Sequence, residues 1–214
     1  MKLFTYLNNG QEQLGIHTEK GAVSVQAAVN AAEAKGTKLQ VPLNVMEVIE
    51  GDEHALRSLG QLLEQLTWEG NEPYLLDEEL LTYSPCVTRP GKIICVGLNY
   101  RKHADETNAP YPEVPILFSK FNNTLAGHRQ EIAIPKVTEK LDYEAELVIV
   151  MGKRAKYVSR EEALNYVFGY CNVNDLSARD LQMRTHQWLL GKTCDGFSPI
   201  GPYLVTADEV GDPN

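Results

Sequence analysis

Beyond residue 92 the chain is built from short apolar runs, Ile93 to Val96, Ile116 to Phe118, Leu147 to Met151, Val167 to Val173 and Tyr203 to Val205, separated by clusters of Gly, Pro and Asn. Runs this short are strands rather than helices, and turn residues at their ends confine them, so the segment predicts a mostly β domain. The stretch before it is patterned differently. Two short strands, Lys2 to Leu7 and Glu12 to His17, precede helical stretches rich in Ala and Leu, which predicts a small α/β unit. Its clearest helix is read from Asp52 to Leu66, with Asp52 as the cap and Leu56, Leu59, Leu62, Leu63 and Leu66 on one core-facing stripe. Leu81 to Gly91, with Pro85 and Pro90, has few helix formers and serves as the connection. The expected fold class is α+β, with a small N-terminal α/β domain over residues 1–80 and a larger β-rich domain over 91–214.

At 214 residues and 43% hydrophobic content the chain can bury a proper core. A net charge of -9 argues against nucleic acid, since a phosphate-binding surface needs a basic face. No run approaches the roughly 18 apolar residues of a membrane span, and Met1 to Gly10 holds too few apolar side chains for a secretory core. Cys86, Cys95, Cys171 and Cys194 show no CxxC spacing, which speaks against a zinc knuckle or redox motif and fits a reducing, cytoplasmic setting.

The chemistry concentrates in acidic residues at strand ends. In Asp142-Tyr143-Glu144-Ala145-Glu146-Leu147-Val148-Ile149-Val150-Met151 the apolar half lacks polar alternation, so a strand covered on both faces is expected. Side chains two apart on a strand share a face, so Glu144 and Glu146 project together. Two like charges held close need a cation or strong donors, and such a pair suits a hard metal; a solvated strand end is the plainer alternative. The next strand, Tyr170-Cys171-Asn172-Val173-Asn174-Asp175, ends in a third carboxylate. Three carboxylates around Mg2+ leave about three of six positions open for a chelating substrate. Asp175 could instead cap a helix over Ser177 to Met183.

His103 and Glu106 lie three apart and share a face if their segment is helical. A glutamate on one ring N–H would prepare the imidazole to take a proton, although a surface pair has the same spacing. Arg179 and Gln182 follow Asp175 at helical intervals, and Gly191 precedes Lys192 where close backbone approach is needed. A substrate carboxylate leaving water requires such a cation, while a surface salt bridge is the alternative for Arg179.

Together these blocks resemble the fumarylacetoacetate hydrolase family, in particular its acylpyruvate hydrolases, 2-hydroxyhepta-2,4-diene-1,7-dioate isomerases and oxaloacetate decarboxylases. The resemblance runs from about Lys92 to Asn214 and rests on Val96 to Tyr100 with His103 and Glu106, on Asp142 to Leu147, on Asn174 to Gln182, and on Gly191-Lys192 before Ser198 to Pro202. It implies a β-rich catalytic fold, a mixed β-sandwich roll, and a homodimer. It also implies Mg2+ or Mn2+ held by Glu144, Glu146 and Asp175, a water-activating dyad of His103 and Glu106 on a segment that closes over substrate, and substrate contacts from Lys192, Arg179, Gln182 and Tyr100. Members of the family continue past the point corresponding to Gly211-Asp212-Pro213-Asn214, so the C-terminal part of the fold is expected to be missing here.

The expected reaction is hydrolysis of a carbon-carbon bond in a small 2,4-dioxo acid of the acylpyruvate or fumarylacetoacetate type, passing through an enolate that the cation stabilises. Oxaloacetate decarboxylation and isomerisation of a hydroxydiene dioate use the same site. A metal-dependent organic-acid binder without turnover is the rival from another class, and a structural β module without metal is a further one.

Overall fold

The computed structural model describes residues 1–213. The first half runs β1 (Lys2–Asn8), β2 (Gln11–Thr18), β3 (Gly21–Ser24), α1 (Val25–Ala34), α2 (Val45–Glu64), β4 (Leu75–Leu76) and β5 (Tyr83–Ser84). The second half runs β6 (Ile93–Gly97), α3 (Arg101–Glu106), β7 (Ile116–Lys120), β8 (Leu125–Ala126), β9 (Leu141–Asp142), β10 (Ala145–Met151), β11 (Val167–Asn174) and β12 (Ser177–Ala178). It ends with α4 (Arg179–Gln182), α5 (Leu189–Lys192), β13 (Ser198–Pro199), β14 (Leu204–Thr206) and α6 (Ala207–Val210). The α+β class is observed, and each apolar run read beyond residue 92 contributes to a strand.

β1 and β2 pair in register from Lys2↔His17 to Asn8↔Gln11, closed by the two-residue turn Asn9-Gly10 at φ of 50° and 77°. Asn and Gly tolerate the left-handed backbone that this tightest of hairpins requires. One sheet then runs β10-β11-β14-β1-β2-β3-β4, with β5 sharing an edge of β1. Strands from both halves therefore lie in one sheet, and one core cluster unites Leu3, Leu14, Ile16 and Val23 with Leu59, Leu62, Val150, Cys171 and Leu204.

Three local expectations are corrected. The long helix begins at Val45, capped by the Asn44 side chain accepting from Glu47 N at 3.0 Å, and Asp52 with φ 46° interrupts it. Val45, Val48 and Ile49 are buried, so a helical segment precedes the expected start, and Asp52, the expected cap, is where the backbone kinks between that segment and the expected helix. The helix expected over Ser177 to Met183 is only the turn Arg179–Gln182, because Ser177 and Ala178 are taken as a strand by β9. Finally, β10 is not covered on both faces. Glu146, Val148 and Val150 point inward, whereas Leu147, Ile149 and Met151 are exposed. β10 is the outermost strand of the sheet, and its face carrying Leu147, Ile149 and Met151 is left about half exposed by the described residues.

Candidate active site

The carboxylates meet where β10 begins and β11 ends. Register aligns Ala145 with Asn174, and Asp175 N donates to Glu144 O at 2.9 Å while Glu144 N donates to Asn174 Oδ1 at 3.1 Å. Glu144 itself precedes the strand, yet these backbone bonds bring its side chain to the same place as that of Glu146. One carboxylate oxygen from each of Glu144, Glu146 and Asp175 lies within 4.8 Å of the others.

Fixed cations surround two of the three. Lys192 is buried and donates to Glu144 Oε2 at 2.8 Å and to Asp175 Oδ2 at 2.9 Å. Its position depends on Gly191, where a Cβ would come within 2.5 Å of Gln182 N and 2.6 Å of Ala178 O. Only a residue without a side chain lets α5 approach α4 that closely. Lys192 Nζ also lies 5.3 Å from the centre of the Phe118 ring. Arg179 donates to Glu144 Oε1 at 2.7 Å, to Asp142 Oδ2 at 2.9 Å and to Gln182 Oε1 at 3.0 Å. Its partners are thus Asp142 and Glu144 rather than the adjacent Asp180, whose carboxylate accepts from Thr138 Oγ1. Gln182 is buried and is oriented by that bond.

Glu146 differs from its neighbours. It is half-buried, forms no hydrogen bond or ion pair among the described residues, and burial together with the charges of Asp175 and Glu144 pushes its carboxyl up to about 7. Carboxylate oxygens alone, one of them lacking any donor, form the kind of donor set that takes a hard divalent cation. The residues present therefore fit Mg2+ or Mn2+.

His103 and Glu106 both lie on α3, but no hydrogen bond joins them among the described residues. The His103 Nε2 lies 3.8 Å from Glu144 Oε1, and Glu106 is exposed. The Tyr100 hydroxyl accepts from Leu147 N at 3.1 Å, which ties the start of α3 to the free edge of β10. A cavity of about 840 Å³ opens beside these groups, with Asn99, Tyr100, Lys120, Glu146 and Asp175 among its lining residues and apolar walls from β6 and β10. Cys95 also lines it, but burial, then the Asp175 charge, pushes its thiol up to about 12, so it is not a ready thiolate nucleophile.

One residue at the site escaped the sequence reading. Lys120, buried at the end of β7, donates to Asp175 Oδ1 at 2.5 Å and to Phe197 O at 2.6 Å. Burial lowers its pKa and the Asp175 charge opposes that. The available signal was alternation in Phe118-Ser119-Lys120, which puts the lysine on the same inward side as Phe118.

The site lies within residues 92–214, which match the model of the family described as fumarylacetoacetate (FAA) hydrolase C-terminal. Over 194 residues the chain is 38% identical to a mitochondrial oxaloacetate tautomerase of Xenopus laevis, covering 90% of this chain and 59% of that protein. Over 123 residues it is 54% identical to the fumarylacetoacetate hydrolase domain-containing protein 2 homolog of Dictyostelium discoideum, covering 56% of this chain and 40% of that one. The chain thus spans about half the length of these curated relatives. Among solved structures, maleylpyruvate hydrolase from Sphingobium sp. SYK-6 in complex with manganese(II) and pyruvate superposes with a TM-score of 0.73 at 25% identity, covering 100% of this chain and 70% of that one. Fumarylacetoacetate hydrolase from Exiguobacterium antarcticum superposes with a TM-score of 0.73 at 29% identity, covering 100% and 69%. With the family's model matching residues 92–214, more than half of the chain, and the same fold in the solved structures, the chain belongs to the fumarylacetoacetate hydrolase family.

Proposed function

We propose that this chain carries the active site of a Mg2+- or Mn2+-dependent enzyme acting on small 2-oxo acids, and that its central step is proton transfer at the carbon beside the 2-oxo group. The observation that carries this reading is the meeting of Glu144, Glu146 and Asp175 beside a cavity, with Glu146 left without a donor. When bound there, a divalent cation supplies the positive charge that a developing enolate oxygen needs. The chain's own residues do the rest. Arg179 and Lys192 hold Glu144 in place, and Lys192 uses two of its three protons on the carboxylates of Glu144 and Asp175. His103, on the short helix beside Glu144, is the group assigned to take and return the proton.

Keto-enol interconversion of a 2-oxo diacid such as oxaloacetate is the reaction best supported. It needs one acid-base group and no activated water, and the relative from Xenopus laevis is an oxaloacetate tautomerase. Cleavage of a 2,4-dioxo acid, the reaction expected from the sequence, is the second reading. The maleylpyruvate hydrolase fold favours it, and it requires Glu106 to swing onto His103 when substrate enters. Decarboxylation of oxaloacetate uses the same site. A homodimer belongs to this reading, supported by the exposed apolar face of Leu147, Ile149 and Met151. A reducing cytosol does too, supported by four unpaired cysteines.

The test follows the decay of enol oxaloacetate by ultraviolet absorbance, with acetylpyruvate and fumarylpyruvate cleavage and pyruvate release measured in parallel, each in Mg2+, Mn2+ and EDTA. Accelerated enol decay that EDTA abolishes and Glu146→Ala removes is the expected result. Turnover that survives EDTA overturns the reading, and cleavage of acetylpyruvate faster than enol decay replaces it with the second.

A further inference from the structure

Lys120 has no role in the chemistry above although it lines the cavity, and both of its hydrogen bonds are to the protein: Asp175 Oδ1 at 2.5 Å and Phe197 O at 2.6 Å. It is nearly inaccessible to solvent, at 4% exposure, so its charge is barely screened. Asp175 therefore carries an ammonium on each oxygen, Lys120 on Oδ1 and Lys192 on Oδ2, while Glu144 carries Lys192 on one oxygen and Arg179 on the other. One ammonium neutralises the charge of a carboxylate, so the second on Asp175, besides satisfying its other oxygen, adds a unit of positive charge to the centre.

The charges at the centre explain the second. Four carboxylates, Asp142, Glu144, Glu146 and Asp175, face three fixed cations, Lys120, Lys192 and Arg179, an excess of one negative charge when Glu146 is ionised. A divalent cation turns this into an excess of one positive charge, which an anionic ligand then balances. Without Lys120 the centre with its metal would carry one positive charge fewer and would attract an anion less.

We propose that Lys120 is a positioning residue whose fixed charge matches the centre to a divalent cation and an anionic ligand taken together, weakening the cation's hold while strengthening the anion's. This rests on the metal-site reading above. The opposed signs distinguish it from a structural role, since a lysine that merely holds Asp175 in place would weaken both on removal.

The experiment titrates Mn2+ into metal-free protein by calorimetry at pH 8, then oxalate, as a non-reacting dianion, into the Mn2+-saturated protein. Wild type is compared with Lys120→Met and Lys120→Arg. A unit charge removed from a buried position this close predicts Mn2+ binding at least about fivefold tighter and oxalate at least about fivefold weaker in Lys120→Met. Lys120→Arg keeps both within about twofold of wild type, because the charge is retained. Both affinities falling together in Lys120→Met, or neither moving, overturns the proposal while leaving the metal site standing. A wild type that binds no Mn2+ overturns the metal reading itself, and this inference with it. Where Lys120→Met loses its far-ultraviolet circular dichroism, Lys120→Gln is read by the same criteria. Loss of fold in both, with Lys120→Arg folded, assigns Lys120 a structural role and overturns the proposal.

Discussion

Replacing Glu146 by Gln removes a proposed metal ligand and should nevertheless stabilise the metal-free protein. The carboxyl is held up to about 7 from an ordinary 4.5, by burial first and then by Asp175 and Glu144. A group whose pKa is raised by folding favours the folded state in its protonated form. Its stabilising contribution is complete below 4.5 and is lost as pH rises through about 7. Fully counted, that shift is worth roughly 3 kcal/mol. Glu146 retains access to the cavity and its water, and screening there reduces the figure to about 1–2 kcal/mol. Gln has the same shape and never ionises. Thermal melts in EDTA should therefore show Glu146→Gln level with wild type at pH 4.5 and more stable at pH 8, by about 2–8 °C for a chain of this size. Millimolar Mn2+ should raise the wild-type midpoint at pH 8 and move the variant much less. The reasoning is refuted if the variant is less stable than wild type at pH 8 in EDTA, or if Mn2+ stabilises both equally.

Lys192→Met leaves Glu144 and Asp175 without their shared buried partner. A loss of about 3–5 kcal/mol is expected in urea melts with EDTA, partly restored by Mn2+. Gly191→Ala forces a Cβ against Gln182 N and Ala178 O. It should cost about 1–3 kcal/mol by the same assay and lower Mn2+ affinity, because Lys192 and Gln182 are displaced together. Leu62→Ala, in the fully buried stripe of α2, should cost about 2–5 kcal/mol in urea while leaving Mn2+ affinity in the folded protein unchanged.

The parts of this site that could be read from the sequence are those encoded over a few residues. The ExE spacing of Glu144 and Glu146, and a strand whose apolar run stops at Asp175, mark three acids that the backbone bonds between Glu144 and Asp175 then join. Gly191 before Lys192 signalled a close approach, and the clash that a Cβ would make there explains it. Strand positions were legible for the same reason, since alternation and turn residues act over short spans of chain. Asn44 and the helical turns from Val45 up to Gly51 were missed, whereas the start placed at Asp52 coincides with a real break, since the backbone of Asp52 is non-helical and kinks α2 there.

What tertiary structure alone decided is which charge meets which. Lys120 reaches Asp175 across 55 positions and Phe197 across 77, Arg179 reaches back to Asp142 across 37, and His103 faces Glu144 rather than its helical neighbour Glu106. No periodicity in the chain encodes these pairings. They follow from the β10-β11 register, which brings Glu144 beside Asp175, and from side chains of α3, β7, α4 and α5 reaching that end of the strand pair. The same arrangement leaves Leu147, Ile149 and Met151 facing outward, because the hydrophobicity of a strand says how much of it can be buried and what packs on each face of the sheet decides which side is.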